Sequence, residues 1–150
     1  MNPEFLSSDE TLAALLSHFE AGTWPIADWR HIHHLAVAAC YIRENLNSMD
    51  RLRDSIKHYN LSQGGRNTED SGYHETLTRF WVEVITNYLE SLPSGLPRLE
   101  VARLVVANFA SQRDLFQTYY DFDVVKSREA RQCVSQKSRK SGLSRLSQIP

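Results

Sequence analysis

The apolar spacing between Leu77 and Tyr88 narrows the choice of fold more than any other feature of this chain. Leu77, Phe80, Trp81, Val84, Ile85 and Tyr88 recur at intervals of three and four, which gathers all six on one face of a helix. Leu12, Leu15, Leu16 and Phe19 follow the same rule, as do Leu99, Ala102, Val105, Val106 and Phe109. No stretch alternates apolar and polar residues as a half-buried strand would, and no segment repeats. The patterns predict an all-α protein, a single-domain bundle of about five main helices with short C-terminal helices.

Punctuation residues set the expected boundaries. Ser7 with Glu10 reads as a capping box that opens the first helix, and Gly22 as the glycine that closes it. The second helix is expected from about 28 to 45, apolar over most of its middle and therefore central to the core. A third follows over roughly 49–59, with Met49, Leu52, Ile56 and Tyr59 on one side. Residues 60–72 are rich in Gly, Ser, Asn, Thr and Asp, a loop longer than most connections in compact domains. The fourth helix is expected from 71–73 to about 92. Pro97 suits the first turn of a fifth over 98–110. Leu115, Phe116, Tyr119 and Tyr120 suggest a short sixth, and Ser127 a cap for one more turn through Arg131.

At 150 residues the chain is the size of one domain, and 41% apolar with 23% charged residues is ordinary for a globular protein. The net charge of −1 conceals an asymmetry, since Lys137, Arg139, Lys140 and Arg145 lie in a C-terminal stretch without acids. We divide the chain into a folded domain, 1–132, and a basic tail, 133–150, too poor in apolar residues to order. Four charges support at most weak contact with nucleic acid. No apolar run approaches a membrane span, the N-terminus lacks the pattern of a signal peptide, and two cysteines make no disulfide framework. These features point to the cytoplasm and away from membranes. They leave the oligomeric state open.

Chemistry concentrates in two blocks. Trp29-Arg30-His31-Ile32-His33-His34-Leu35 places three of the six histidines within four positions. Near the start of a helix, His31 and His34 share a face. Tyr73-His74-Glu75-Thr76-Leu77-Thr78 opens the fourth helix and can supply the facing wall. A third block, Tyr119-Tyr120 and then Ser127-Arg128-Glu129-Ala130-Arg131, follows them. In this order the three blocks resemble an uncharacterised family of small all-helical bacterial proteins, with aromatic-x-His-x-x-His-Leu, Tyr-His-Glu-Thr-x-Thr and Ser-x-x-Ala-Arg motifs. Asp121 stands where that pattern has a serine. The resemblance implies a helical fold and a pocket between the blocks, and no activity.

Three readings of the pocket remain open. In the first, His31, His34 and His74, with Glu75 as an oxygen ligand or as a partner that supports the ligands, bind a divalent transition metal, zinc with an open coordination position or non-haem iron. Against this, His74 and Glu75 are adjacent and so point about 100° apart on a helix. In the second, the pocket is metal-free and takes a small molecule, with His31 or His34 as general base, Glu75 orienting it, and Tyr73, Thr78, Trp29 and Arg131 in the walls. In the third, the histidines are structural, hydrogen-bonded to one another, to Glu75 or to Thr78. His33 is expected to face sideways or to solvent, and His18 and His58 to lie on the surface. Cys40 falls among apolar residues, where a thiol is held protonated. The chain is thus either a small enzyme, with a metal or without, or a non-catalytic module that binds a small molecule or a protein.

Overall fold

The structure, a computed structural model, describes residues 2–44 and 47–133. Six α-helices follow one another among the described residues: α1 (Asp9–Ala21), α2 (His31–Glu44), α3 (Ser48–Ser62), α4 (Glu75–Glu90), α5 (Arg98–Phe109) and α6 (Arg128–Gln132). Three short 3₁₀ turns accompany them, at Glu4–Leu6, Ile26–Asp28 and Leu115–Thr118. No strand occurs among the described residues, so the protein is all-α as its periodicity predicts. Apart from Cys133, the tail expected to be disordered lies outside the described residues. No helix among them is long and apolar enough to cross a membrane.

α2 is the axis. From Leu35 to Ile42 every residue is buried, so this helix is apolar all round and needs neighbours on every side. It packs most extensively against α5, whose Val101, Ala102, Val105 and Phe109 are buried, and it also touches α3 and α4. The expected pairing of α2 with α4 is present, but α5 is the closer partner. Alanines explain this: Ala36, Ala39 and Ala102 are fully buried and let two backbones approach. Leu12, Leu15 and Phe19 of α1 are fully buried too, each contributing about 1.5–3 kcal/mol.

Several boundaries shift by a few residues, each for a local reason. Ser8, not Ser7, caps α1, and its box partner is Thr11 in place of Glu10. Ser7 is already committed to the preceding turn, where its N–H and hydroxyl both donate to the Glu4 carbonyl. Gly22 closes α1 at φ 75°, and a Cβ there would lie 2.3 Å from that of Ser62. α2 begins three residues later than expected because Ile26–Asp28 form a separate turn. α3 runs three residues past its expected end. α4 starts at Glu75, after a loop that Asn67 ties together. The Asn67 side chain donates to the Lys57 carbonyl (3.0 Å), and its Oδ1 accepts from the Asn60 side chain (2.9 Å) and the Tyr73 N–H (3.1 Å). Gly72, at φ 84°, lets the Arg66 carbonyl pass 1.9 Å from where a Cβ would stand. Ser127 caps α6 through the Ala130 N–H, as expected.

Candidate functional site

The first turn of α2 is assembled by its own histidines. The Arg30 carbonyl accepts from the N–H groups of His33 and His34, which makes Arg30 the N-cap. His33, at the third helical position, returns the contact: its Nδ1 accepts from the Arg30 N–H at 2.9 Å, as a glutamate does in a capping box. This draws the ring inward, where it stacks on Phe5 (4.5 Å between centroids) and Trp29 (5.3 Å). His33 is therefore buried, contrary to the expectation that it faces sideways or to solvent, and its role is structural. His18 and His58 are exposed, as expected.

His31, His34 and His74 do converge. All three line one cavity of about 510 Å³ between α2 and α4. Leu35 and Ala38 belong to the hydrophobic core, Leu77 and Trp81 pack against it, and all four also border the cavity. Thr78 and Tyr73 line it as well, and Arg113, Asp114, Phe116 and Val125 reach it from the segment that follows α5. The volume falls in the range of small-molecule pockets.

What each imidazole can do follows from its partners. An indole N–H can only donate, so the 2.7 Å contact from Trp29 Nε1 makes His34 Nε2 an acceptor and puts the ring proton on Nδ1. Trp29 is held for this task by Phe19 (5.1 Å) and Tyr59 (4.9 Å) and stands behind His34 as seen from the cavity. His34 keeps accessible surface and lines the cavity. Burial, reinforced by His31, His33 and Arg113 nearby, pulls its pKa down to about 4, so it is neutral at pH 7. His31 has the opposite tautomer. Its Nε2 lies 3.3 Å from the Phe109 carbonyl, which can only accept, so the lone pair is on Nδ1. Burial lowers the pKa of His31 as well, against the pull of that carbonyl.

His74 has no nitrogen left over. It is the N-cap of α4, with Nδ1 accepting from the Leu77 N–H (3.2 Å) and Nε2 donating to the Val124 carbonyl (2.7 Å). Glu75 points away from the histidines into a second cavity of about 470 Å³, lined also by Arg53, Lys57, Tyr73 and Arg131. There its carboxylate takes a two-pronged contact from Arg53 (2.9 Å on each oxygen), a hydrogen bond from the Tyr73 hydroxyl (2.8 Å) and a longer one from Arg79. These, led by Arg53, hold its pKa near 2 despite burial. The pairing of Glu75 with His34 is thus absent, and so is any contact of Glu75 with a histidine.

His74 has both nitrogens engaged, His34 offers Trp29 its one lone pair, and no three His, Cys, Asp or Glu side chains are grouped for an ion among the described residues. Arg131, expected in the histidine pocket, lies in the second cavity, where it donates to the carbonyls of Gly72 (2.7 Å) and Val125 (3.0 Å) and clamps α6 to the loop. Cys40 is buried with its thiol pushed up to about 12, as its surroundings predict. Arg113 and Asp114 at the cavity and Arg53 beside Glu75 carry no motif, and only the folded chain reveals them. Comparison of the chain with protein-family models, curated proteins and solved structures finds no match in any of the three.

Proposed function

We propose that this chain is a non-catalytic, metal-free module that binds one small, largely apolar molecule in the cavity between α2 and α4. The observation that carries this is His34: a ring held by Trp29 at the wall of about 510 Å³ of space lined mainly by apolar side chains. Apolar walls with a few fixed polar groups are the usual composition of a ligand site. A catalytic base finds less support, because the lone pair that His34 would use is already bonded to Trp29. The metal-dependent enzyme finds less still, given the engagement of His74.

The test is titration with phenylnaphthylamine, a neutral dye whose fluorescence rises in apolar surroundings. One equivalent should bind. Ala38→Phe, which adds a ring to the cavity wall, should abolish the signal while the helical circular dichroism is retained. Equal binding by the variant would show that the dye goes elsewhere and would remove the basis of the reading.

A further inference from the structure

The tautomers of His31 and His34 specify more than a cavity. They lie one helical turn apart on the same face of α2, and both rings belong to the wall. Each has one nitrogen bonded to protein and the other without a hydrogen bond among the described residues. At His34 the open nitrogen is Nδ1–H, a donor, because Trp29 occupies Nε2. At His31 it is Nδ1, an acceptor, because Nε2–H is turned to the Phe109 carbonyl. The wall therefore offers one fixed donor beside one fixed acceptor.

We infer that the cavity reads a neutral carboxamide or lactam edge on a flat apolar body, its C=O accepting from His34 Nδ1–H and its N–H donating to His31 Nδ1. This rests on the binding-module reading and names the chemical class of the ligand. Three observations support it. A carboxamide presents separate acceptor and donor atoms at one edge, the chemical complement of one fixed donor and one fixed acceptor. Burial lowers the pKa of both imidazoles and favours their neutral form at pH 7, and Arg113 and Asp114, of opposite charge, line the same cavity. Trp81, whose ring lies 5.1 Å from that of His31, and Phe116 give flat apolar walls for a planar body. A hydroxyl group can also accept and donate, but through a single oxygen. Two rings a full turn apart favour a group whose donor and acceptor atoms are separate.

Calorimetric titration at pH 7 with three matched probes decides it: naphthamide, its methyl ester counterpart methyl naphthoate, and naphthoate. The amide should bind tightest. The ester lacks the N–H and leaves His31 Nδ1 unmet, so it should bind about tenfold more weakly, and the carboxylate more weakly again. His31→Phe should remove the difference between amide and ester, and His34→Ala should weaken both. If His34→Ala does not fold, the probe series and His31→Phe still decide. Ester binding as tight as amide would overturn the amide assignment and leave the cavity standing. Tightest binding by naphthoate would overturn it in favour of charge recognition through Arg113. If none of the three binds while phenylnaphthylamine does, the amide assignment alone fails; if the dye fails too, both proposals fall.

Discussion

The two cavities meet at the first turn of α4, one residue apart in sequence, and they handle polarity in opposite ways. On the His74 side burial favours the neutral form of three imidazoles, against the pull of the Phe109 carbonyl on His31 and of the Val124 carbonyl on His74. On the Glu75 side a full charge is buried and answered by Arg53, Arg79 and the Tyr73 hydroxyl. A buried carboxylate without such partners would protonate, and histidines beside one would charge. Opposite helix faces let the chain build both environments from one short block. The lesson is that Tyr-His-Glu-Thr-x-Thr is two half-sites back to back, not one site.

The largest effect should come from breaking the charged side. Glu75→Ala leaves Arg53 without its main partner and frees the start of α4 from α3. Loss of a buried ion pair's partner is strongly destabilising, and here about 3 kcal/mol is expected, the lower end, because Arg53 can rehydrate. Urea unfolding measures it. A loss below about 1 kcal/mol would mean that the carboxylate contributes little to holding the two helices together.

A difference between two losses, smaller than the effect of Glu75→Ala, separates cavity wall from packed core. Leu15 is fully buried and away from the cavity, so Leu15→Ala should cost about 2–5 kcal/mol. Leu77, half-buried in the cavity wall, already lacks neighbours on one side, and Leu77→Ala should cost about 1–2 kcal/mol. Equal losses would show that α2 and α4 close on each other in solution and that the cavity is not maintained.

The finest test is acid titration of the thermal midpoint. The imidazole of His34 binds a proton near pH 6.5 when unfolded and only near 4 when folded. Its contribution is therefore complete above pH 6.5 and is lost as pH falls from 6.5 toward 4. His31, His33 and His74, also lowered by burial, add in the same direction. Glu75, at 4.5 unfolded and about 2 folded, holds its contribution above pH 4.5 and loses it between 4.5 and 2. The midpoint should fall in two stages. His34→Gln, which can still accept from Trp29, should flatten the first stage by a few degrees and leave the second. A single stage below pH 4.5 would contradict the neutral histidine wall.

Much of this was legible beforehand. Helical spacing located every main helix, Gly22 and Ser127 marked two ends correctly, and the shared face of His31 and His34 pointed to one cavity with His74. What could not be read was where competing partners would send each side chain. His33 is buried because the Arg30 N–H, unsatisfied at a helix start, takes its ring nitrogen. Glu75 leaves the histidines because Arg53, on α3, is within reach of both its oxygens. Arg113 and Asp114 enter the cavity from a polar segment with no motif. The close approach of α2 to α5 depends on alanines, whose small size leaves no mark on a pattern of large apolar residues.

Tyr73 is the partition between the two cavities, and it borders both. Its N–H is tied to Asn67, its hydroxyl to Glu75, and Lys57 lies over its ring at 5.3 Å. Pinned at three points, it is held in place as the wall between the two compartments. Where Tyr73 is kept, the partners of His31 and His34 differ from those of Glu75, and substitutions without a shared partner tend to add. A lineage carrying this fold can therefore retune the shape or polarity of the histidine wall without disturbing the charged anchor of α4. The partition that separates two chemistries in one molecule also separates two routes by which it can diverge.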